Sequence, residues 1–387
     1  MINQPIHKAL GQALNDNGVE VVTFVPGYGA SETFVSYNEI AGRIGKISYH
    51  EEVAYTIAHG AAITGKRAAI LCKAHGVMKA ANSITDSLYT TPAAGLVLFV
   101  FEDHTGKHSD NILDIHPFLK SIKIPVVKTD KTKIYDDVNA AYQLSEKTKL
   151  PTALLIDAMS INESTAFQPR PDLKKNFSYK RNIYFHVVHP LLAEFQYKVL
   201  TTKTEGGNLE AVSRPDLPVV PESLTPKVKA GASKYLSFFE VFKNLKRDIT
   251  TGDTGSSSAF AFPPYNAIDI VTYMGGSIPL ALGAYLGGFK NVWALTGDFA
   301  FISAGHLGLI EAVQRNIPLK IVIFYNRRAS ATGGQLINKN ILFRILAGYE
   351  KFIIQISNTE DLFEIDNVLN EAASSDEMKI IIVNYPE

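Results

Sequence analysis

Two hydrophobic periods take turns along this chain. Ile6, Leu10 and Leu14, with Ala9 and Ala13 beside them, recur at four-residue spacing and predict an amphipathic helix ending near Asn17-Gly18. The β-branched run over 21–25 predicts a buried strand, broken by Pro26-Gly27-Tyr28-Gly29-Ala30 and followed by a helix from Ser31. Residues 44–49 read as a short second strand. Val53-Ala54, Ile57-Ala58 and Ala61 then repeat with helical period from Glu51 to Gly65. A strand over 68–71, the loop Lys73-Ala74-His75-Gly76, a helix through Leu88 and a strand over 95–101 continue the alternation, and 124–127 and 152–157 add strands. Strands alternating with helices imply βαβ crossovers and a parallel sheet.

The rhythm fails over 167–229, where Pro169, Pro171, Pro190, Pro215, Pro218, Pro221 and Pro226 fall and a short helix begins at His189-Pro190. It resumes at Tyr235. Phe238, Val241-Phe242 and Leu245 mark a helix, followed by strands over 248–251, 292–295, 321–324, 352–356 and 379–383, with a helix over 361–373. The expected architecture is α/β: two parallel-sheet domains flanked by helices, 1–165 and 230–387, joined by a long proline-rich connector, 166–229.

A length of 387 residues suits two such domains. Lys+Arg and Asp+Glu both number 38, and no basic block stands out, so neither nucleic acid nor a membrane is expected as a partner. The single cysteine, Cys72, follows the apolar run 68–71; it excludes internal disulfides and cysteine-ligated clusters in this chain. The longest apolar stretch, 93–101, is too short to span a bilayer, and the start of the chain runs directly into an amphipathic pattern, so a soluble cytoplasmic protein is expected.

The chemistry concentrates where strands end in polar residues. Leu295-Thr296-Gly297-Asp298-Phe299 and Phe324-Tyr325-Asn326-Arg327-Arg328 each close an apolar run, which puts them at the carboxyl ends of parallel strands, where ligands bind in open α/β sheets. Gly297 is expected to allow a tight turn. Asp298 offers a hard anionic oxygen and Asn326 a neutral one, a pairing that suits Mg²⁺ alongside phosphate oxygens. Gly252-Asp253-Thr254-Gly255 follows another strand and offers backbone N–H groups to a diphosphate. Glu51 stands where a strand region turns into a helix, in Ser48-Tyr49-His50-Glu51-Glu52-Val53-Ala54.

The Asp298-to-Asn326 spacing, with His306-Leu307-Gly308-Leu309-Ile310-Glu311-Ala312-Val313 and Asn316-Ile317-Pro318-Leu319-Lys320 between, resembles the cofactor signature of thiamine-diphosphate enzymes. The resemblance implies that the side chains of Asp298 and Asn326 and the backbone carbonyl of Arg328 hold Mg²⁺ against the diphosphate. It implies that Glu51 hydrogen-bonds the aminopyrimidine and promotes its imino tautomer, with Glu52 a solvated neighbour. Met274, before Gly275, matches the apolar wedge under the cofactor, and the Thr272 carbonyl would meet the pyrimidine. Gly27, Gly252, Asp253, Thr254, Gly297 and Phe299 complete the implied cofactor contacts. Domain 1–165 would bind the pyrimidine and 230–387 the diphosphate, from different subunits, so that sites lie at the subunit interface of a homodimer or homotetramer. His75 is placed to face a substrate carboxylate, and His108 and His116, with His104 nearby, are acid–base candidates. Ala331-Thr332-Gly333-Gly334-Gln335 reads as a flexible loop over the cofactor.

Nearly the whole chain resembles the α subunit of indolepyruvate ferredoxin oxidoreductase, through His50-Glu51-Glu52-Val53-Ala54, residues 103–109, Lys123-Ile124-Pro125-Val126, Asn266-Ala267-Ile268-Asp269 and the Asn326-to-Gln335 segment; it is also similar to phosphonopyruvate and sulfopyruvate decarboxylases. The departures matter. Lys229-Ala230-Gly231-Ala232-Ser233-Lys234 stands where that oxidoreductase carries cysteines, and its C-terminal iron–sulfur domain has no counterpart before Glu387. The expected activity is therefore non-oxidative decarboxylation of a 2-oxo acid, an aryl or other bulky one among the candidates, with carboligation as a further outcome. The alternatives are an oxidoreductase subunit that relies on the redox centres of a partner chain, and a catalytically degenerate structural subunit.

Overall fold

Continuous apolar strands build both halves of the chain, as parallel sheets covered on both faces require. The computed structural model describes residues 1–386, without the side chain of Lys227; Glu387, the last residue of the expected 230–387 domain, lies outside the described residues. Two compact units result: Met1–Lys180 with Val199–Ala211, and Arg181–Lys198 with the chain from Val212 onward. Among the described residues no helix is long and apolar enough to cross a membrane.

In the first unit five parallel strands run in the order Val21–Phe24, Ala68–Lys73, Leu96–Glu102, Thr152–Asp157, Val126–Lys128. Leu96–Glu102 lies at the centre and is buried at every position. Helix Ile6–Asp16 turns the predicted Ile6, Leu10 and Leu14 stripe inward and packs on Ala30–Ala41 and Ile134–Thr148. Buried Arg67 ties this face together: its Nε donates to Glu146 at 2.6 Å and its Nη1 to the Asn17 carbonyl at 2.7 Å.

Several elements differ from expectation. Residues 44–49 form no strand. Ile44 is 94% exposed, and Ser48 N–H donates to the Phe24 carbonyl at 2.8 Å. With Gly45, Lys46 and Ser48 in it, the segment has weak strand propensity. The helix expected through Leu88 is broken into Ala74–Lys79 and Ala81–Ser87. Ile2–Pro5, too short and polar to announce itself, pairs antiparallel with Ser164–Phe167. The 166–229 stretch is not wholly irregular. It is divided between the units and contains the helix Ala193–Glu205, whose Phe195, Val199 and Leu200 are buried at helical spacing.

The second unit has six parallel strands, in the order Ile353–Ile356, Lys379–Asn384, Lys320–Tyr325, Val292–Gly297, Ile249–Gly252, Ile270–Val271. One face is sealed by aromatic rings. Phe239 stacks on Phe260 at 3.9 Å and 9°, Phe242 meets Trp293 edge-on at 5.4 Å, and Phe238 meets Phe324 edge-on at 5.1 Å. Phe239 is fully buried. Phe239→Ala is expected to lower the unfolding free energy by about 3–5 kcal/mol, through lost transfer energy and the cavity left behind. Denaturant unfolding of the variant against the parent chain checks this.

Candidate active site

Parallel register brings three chain crossings to one end of the second sheet. Leu295 pairs with Gly252 and Gly297 pairs with Phe324, so Asp253-Thr254, Asp298-Phe299 and Asn326-Arg327-Arg328 leave their strands side by side. A cavity of about 310 Å³ opens among them. Asp253, Thr254, Met274, Gly297, Asp298, Phe299, Asn326 and Arg328 line it, with Tyr235 and the residues 329–332.

Asp298 is 1% exposed, and its carboxylate is held entirely by backbone donors. Oδ1 accepts Phe299 N–H at 2.8 Å; Oδ2 accepts Asn326 N–H at 3.1 Å and Arg327 N–H at 2.6 Å. Arg327 adopts φ 59°, a left-handed conformation uncommon for a side-chain-bearing residue, and this turn lets consecutive N–H groups reach one oxygen. Burial pushes the Asp298 carboxyl up to about 6 despite those three donors. The Arg327 guanidinium adds an electrostatic pull in the other direction. A buried carboxylate at a cavity wall is a hard anionic oxygen of the kind a metal cation accepts.

Asn326 is also buried. Its Oδ1 accepts Arg328 N–H at 3.0 Å and the Ser330 hydroxyl at 3.2 Å, and its Nδ2 donates to Tyr235 Oη at 2.9 Å. Among the described residues no three His, Cys, Asp or Glu side chains converge as metal ligands. One carboxylate, one amide oxygen and nearby carbonyls make an incomplete oxygen set, of the kind Mg²⁺ accepts when phosphate oxygens and water complete its octahedron.

Gly297 is not the tight-turn residue expected. Its φ of −87° and ψ of 159° are ordinary extended values, and a Cβ there would meet nothing within 4 Å. The fold does not require glycine at this position; the open space faces the cavity, where a side chain would stand in a ligand's way. Asp253 is buried and its carboxylate is engaged within the protein: Oδ1 accepts Ser277 N–H at 2.8 Å and Oδ2 accepts the Thr296 hydroxyl. Burial pushes this carboxyl, too, up to about 6. It joins the loop after one strand to the start of helix Ser277–Leu286 and to the strand that carries Asp298. Met274 and Phe299 keep 37% and 41% of their surface exposed beside the cavity. Thr272 is buried and Gly252 ends its strand in the interior; neither lines the cavity.

In the first unit, Glu51 begins helix Glu51–Ile63. Its side chain is 14% exposed, Oε2 has no hydrogen-bond partner, and Lys79 Nζ stands 3.5 Å away. Gly76 backs it so closely that a Cβ there would fall 2.8 Å from Glu51 Cγ. Glu52 accepts from Asn82 Nδ2 at 3.1 Å. The loop that carries the histidines is ordered by Asp103, whose carboxylate accepts His108 N–H at 2.7 Å and Thr105 N–H at 3.1 Å; against the desolvation that pushes its carboxyl up, these bonds hold it well below the usual range. His108 stacks on Tyr28 at 3.8 Å, and its carbonyl accepts from Lys73 Nζ. His75 Nε2 lies 2.6 Å from Asn111 Oδ1. Gly27 packs against the Lys73 side chain. His104 lies 3.7 Å from Glu102, and His116 lines a separate cavity with Lys120 and Lys123. The structure thus joins Lys73 to His108 and His75 to Asn111, and leaves His116 in a different cavity. Tyr235 and Ser330, the partners of Asn326, escaped sequence reasoning because neither belongs to a spaced motif.

Residues 253–381 match the family described as thiamine pyrophosphate enzyme, C-terminal TPP binding domain. The second unit carries a thiamine pyrophosphate enzyme C-terminal domain. This bears out the resemblance read from Asp298 and Asn326, and Asp253, Met274, Asp298 and Asn326 all lie within the matched stretch. The chain is similar to indolepyruvate oxidoreductase subunit IorA of Methanothermobacter thermautotrophicus, 30% identical over 152 residues, and of Archaeoglobus fulgidus, 29% identical over 156 residues. Each match covers 38% of this chain and 25% of the relative, so the chain corresponds to about a quarter of those proteins. A solved structure provisionally assigned as a thiamin diphosphate-dependent enzyme, from Mycobacterium smegmatis, superposes with a TM-score of 0.68 over 99% of this chain and 100% of that one, at 15% identity. At that identity the likeness shows a shared fold, with two parallel α/β units.

Proposed function

We propose that this chain binds thiamine diphosphate with Mg²⁺ and decarboxylates a 2-oxo acid without an electron acceptor. The observation that carries the reading is the convergence of Asp298, Asn326 and Arg328 on one cavity beside the open face of Gly297. Asp298, the Asn326 side chain and the Arg328 carbonyl would hold the cation, and Thr254 with the Gly297 backbone would hold the diphosphate. Bound thiamine diphosphate supplies a carbon nucleophile and an electron sink for loss of CO₂ from a 2-oxo acid. Glu51 would hold a proton at the aminopyrimidine through Oε2, which has no hydrogen-bond partner, while Lys73, His75 and His108 would bind the substrate carboxylate and move protons after CO₂ leaves. Met274 would act as the apolar wedge.

What favours the non-oxidative course is the thiol inventory of this chain: Cys72 is buried in the first sheet, and burial pushes its thiol far above the range in which thiolates ligate clusters. A second reading, an oxidoreductase subunit working with redox centres on a partner chain, is favoured by the printed names of the IorA relatives. Purified protein with thiamine diphosphate, Mg²⁺ and a panel of pyruvate, phenylpyruvate, indolepyruvate and phosphonopyruvate separates the two. CO₂ with aldehyde or acyloin and no added acceptor supports the first. Turnover that appears only with an artificial electron acceptor replaces it with the second.

The reading further takes the protein as a homodimer or homotetramer, with each cofactor served by two copies. Mixing two separately inactive variants, Glu51→Gln and Asp298→Ala, under subunit exchange is then expected to restore about a quarter of wild-type activity, since about half the dimers are hybrids with one intact site each. No restoration, in mixtures shown by native mass spectrometry to contain hybrids, would refute the shared site.

A further inference from the structure

We propose that the first unit carries a binding site for a small organic phosphate, built on Lys120, Lys123 and the buried Lys203. The site does not depend on the cofactor reading above.

Its place is the cavity of about 720 Å³ that His116 lines. Small-molecule pockets commonly enclose about 300–1,000 Å³. The helix His116–Ser121 and the end of helix Ala193–Glu205 form part of the lining, and both stretches belong to the first unit. Pro125 and Leu150 stand just before strands Val126–Lys128 and Thr152–Asp157, so the cavity reaches the amino ends of these strands. Lys73 closes its own strand at the opposite, carboxyl edge of the same parallel sheet, with His75 just beyond it. A ligand among the three lysines is therefore not the 2-oxo acid assigned to Lys73 and His75.

Positive charge gathers in this cavity. Lys120, Lys123 and Lys203 line it, and Glu205 is the one acidic side chain among the described lining residues. Lys120 and Lys123 are exposed, and among the described residues neither ammonium has a hydrogen bond or an ion pair, so both can turn to a ligand. Lys203 is different. It is 8% exposed, and its ammonium donates to the Thr90 carbonyl at 3.2 Å, the Thr91 hydroxyl at 2.8 Å and the Lys149 carbonyl at 3.1 Å. All three acceptors are uncharged. A buried cation that is hydrogen-bonded but not paired keeps its field uncompensated, and an arriving anion offsets that cost. Burial, and then the like charge of Lys149, push this ammonium down to about 7. Lys203 thus supplies potential, and Lys120 and Lys123 supply donors. Glu102 acts electrostatically on His116, so the lysines and not the histidine carry the cationic role.

The rest of the lining is largely apolar: Pro125 and Val126 are half-buried, and Ile124 and Leu150 are buried. Two free ammonium groups beside an apolar wall match a doubly charged head on an apolar body, which an organic phosphomonoester offers. Inorganic phosphate leaves the wall unused, and a neutral ring leaves the lysines unused.

Phenyl phosphate is the probe, followed by ligand-observed NMR on the full-length protein with and without saturating thiamine diphosphate and Mg²⁺. Saturable binding is expected in both conditions, at least about tenfold tighter than that of inorganic phosphate or of phenol. Lys120→Gln combined with Lys123→Gln is expected to weaken phenyl phosphate at least about tenfold and to leave thermal denaturation unchanged, since both side chains are exposed. Should the double variant not fold, each single substitution is expected to weaken binding at least about threefold, and losses below about twofold in both overturn the site. Absence of saturable binding up to about 10 mM, or a folded double variant within about twofold of wild type, also overturns it. Displacement of the probe by thiamine diphosphate overturns it as well, because the probe would then be occupying the cofactor's site. Inorganic phosphate that binds as tightly as phenyl phosphate overturns the assignment of an organic ligand.

Discussion

Asp298→Asn is expected to abolish Mg²⁺-dependent binding of thiamine diphosphate while leaving the fold intact. The substitution keeps the shape of the side chain and an oxygen able to accept from the backbone, so the turn that joins Phe299, Asn326 and Arg327 retains part of its bonding. It removes the formal negative charge whose burial already pushes the carboxyl up to about 6. A change in a residue that merely supports a metal ligand costs about 10- to 100-fold, so loss of the carboxylate that the proposed function assigns to the metal is expected to cost at least about 100-fold in cofactor affinity. Isothermal titration with thiamine diphosphate and Mg²⁺ reads the affinity, and thermal denaturation of the cofactor-free protein reads the fold. Unchanged affinity in a folded Asp298→Asn protein would remove Asp298 from the metal site.

Glu51→Gln is expected to separate chemistry from binding. Glutamine fills the same space against Gly76, where a Cβ would already be only 2.8 Å from Glu51 Cγ. Helix Glu51–Ile63 and its packing therefore persist, and cofactor affinity, which the proposed function assigns to the other unit, should fall by less than about tenfold if proton transfer is the residue's main contribution. What is lost is a carboxylate with one oxygen free of hydrogen bonds. General acid–base groups contribute about 10²- to 10⁴-fold, and turnover should fall by that factor. Exchange of the thiazolium proton, followed by NMR after rapid quench, should slow in parallel. Turnover within about tenfold of wild type would show that another group does this work.

Much of this protein was legible without coordinates, and the reasons are physical. Continuous apolar runs such as 96–101 and 380–383 can be satisfied only by burial on both faces, so two parallel α/β units followed from the hydrophobic pattern. Polar residues that close such runs must emerge at the carboxyl end of the sheet, which put Asp298 and Asn326 together before any distance was known. The thiamine pyrophosphate family was legible for the same reason: its signature is a spacing along two adjacent strands.

Only the tertiary structure decided what depends on partners distant in sequence. Residues 44–49 form no strand although Ser48 bonds to the edge strand at Phe24, while Ile2–Pro5 has little strand signal and pairs with a segment more than a hundred residues away. Gly297 proved to be open space rather than a turn, because its backbone is extended and its absent side chain faces the cavity. Asp253 has its carboxylate engaged by Ser277 and Thr296. Tyr235 reached Asn326 from 91 positions away. Periodicity and spacing encode which residues stand on one element; the direction and hydrogen-bond partner of a side chain are settled by packing between elements, and that is where the chemistry of Asp298 and Asn326 is set.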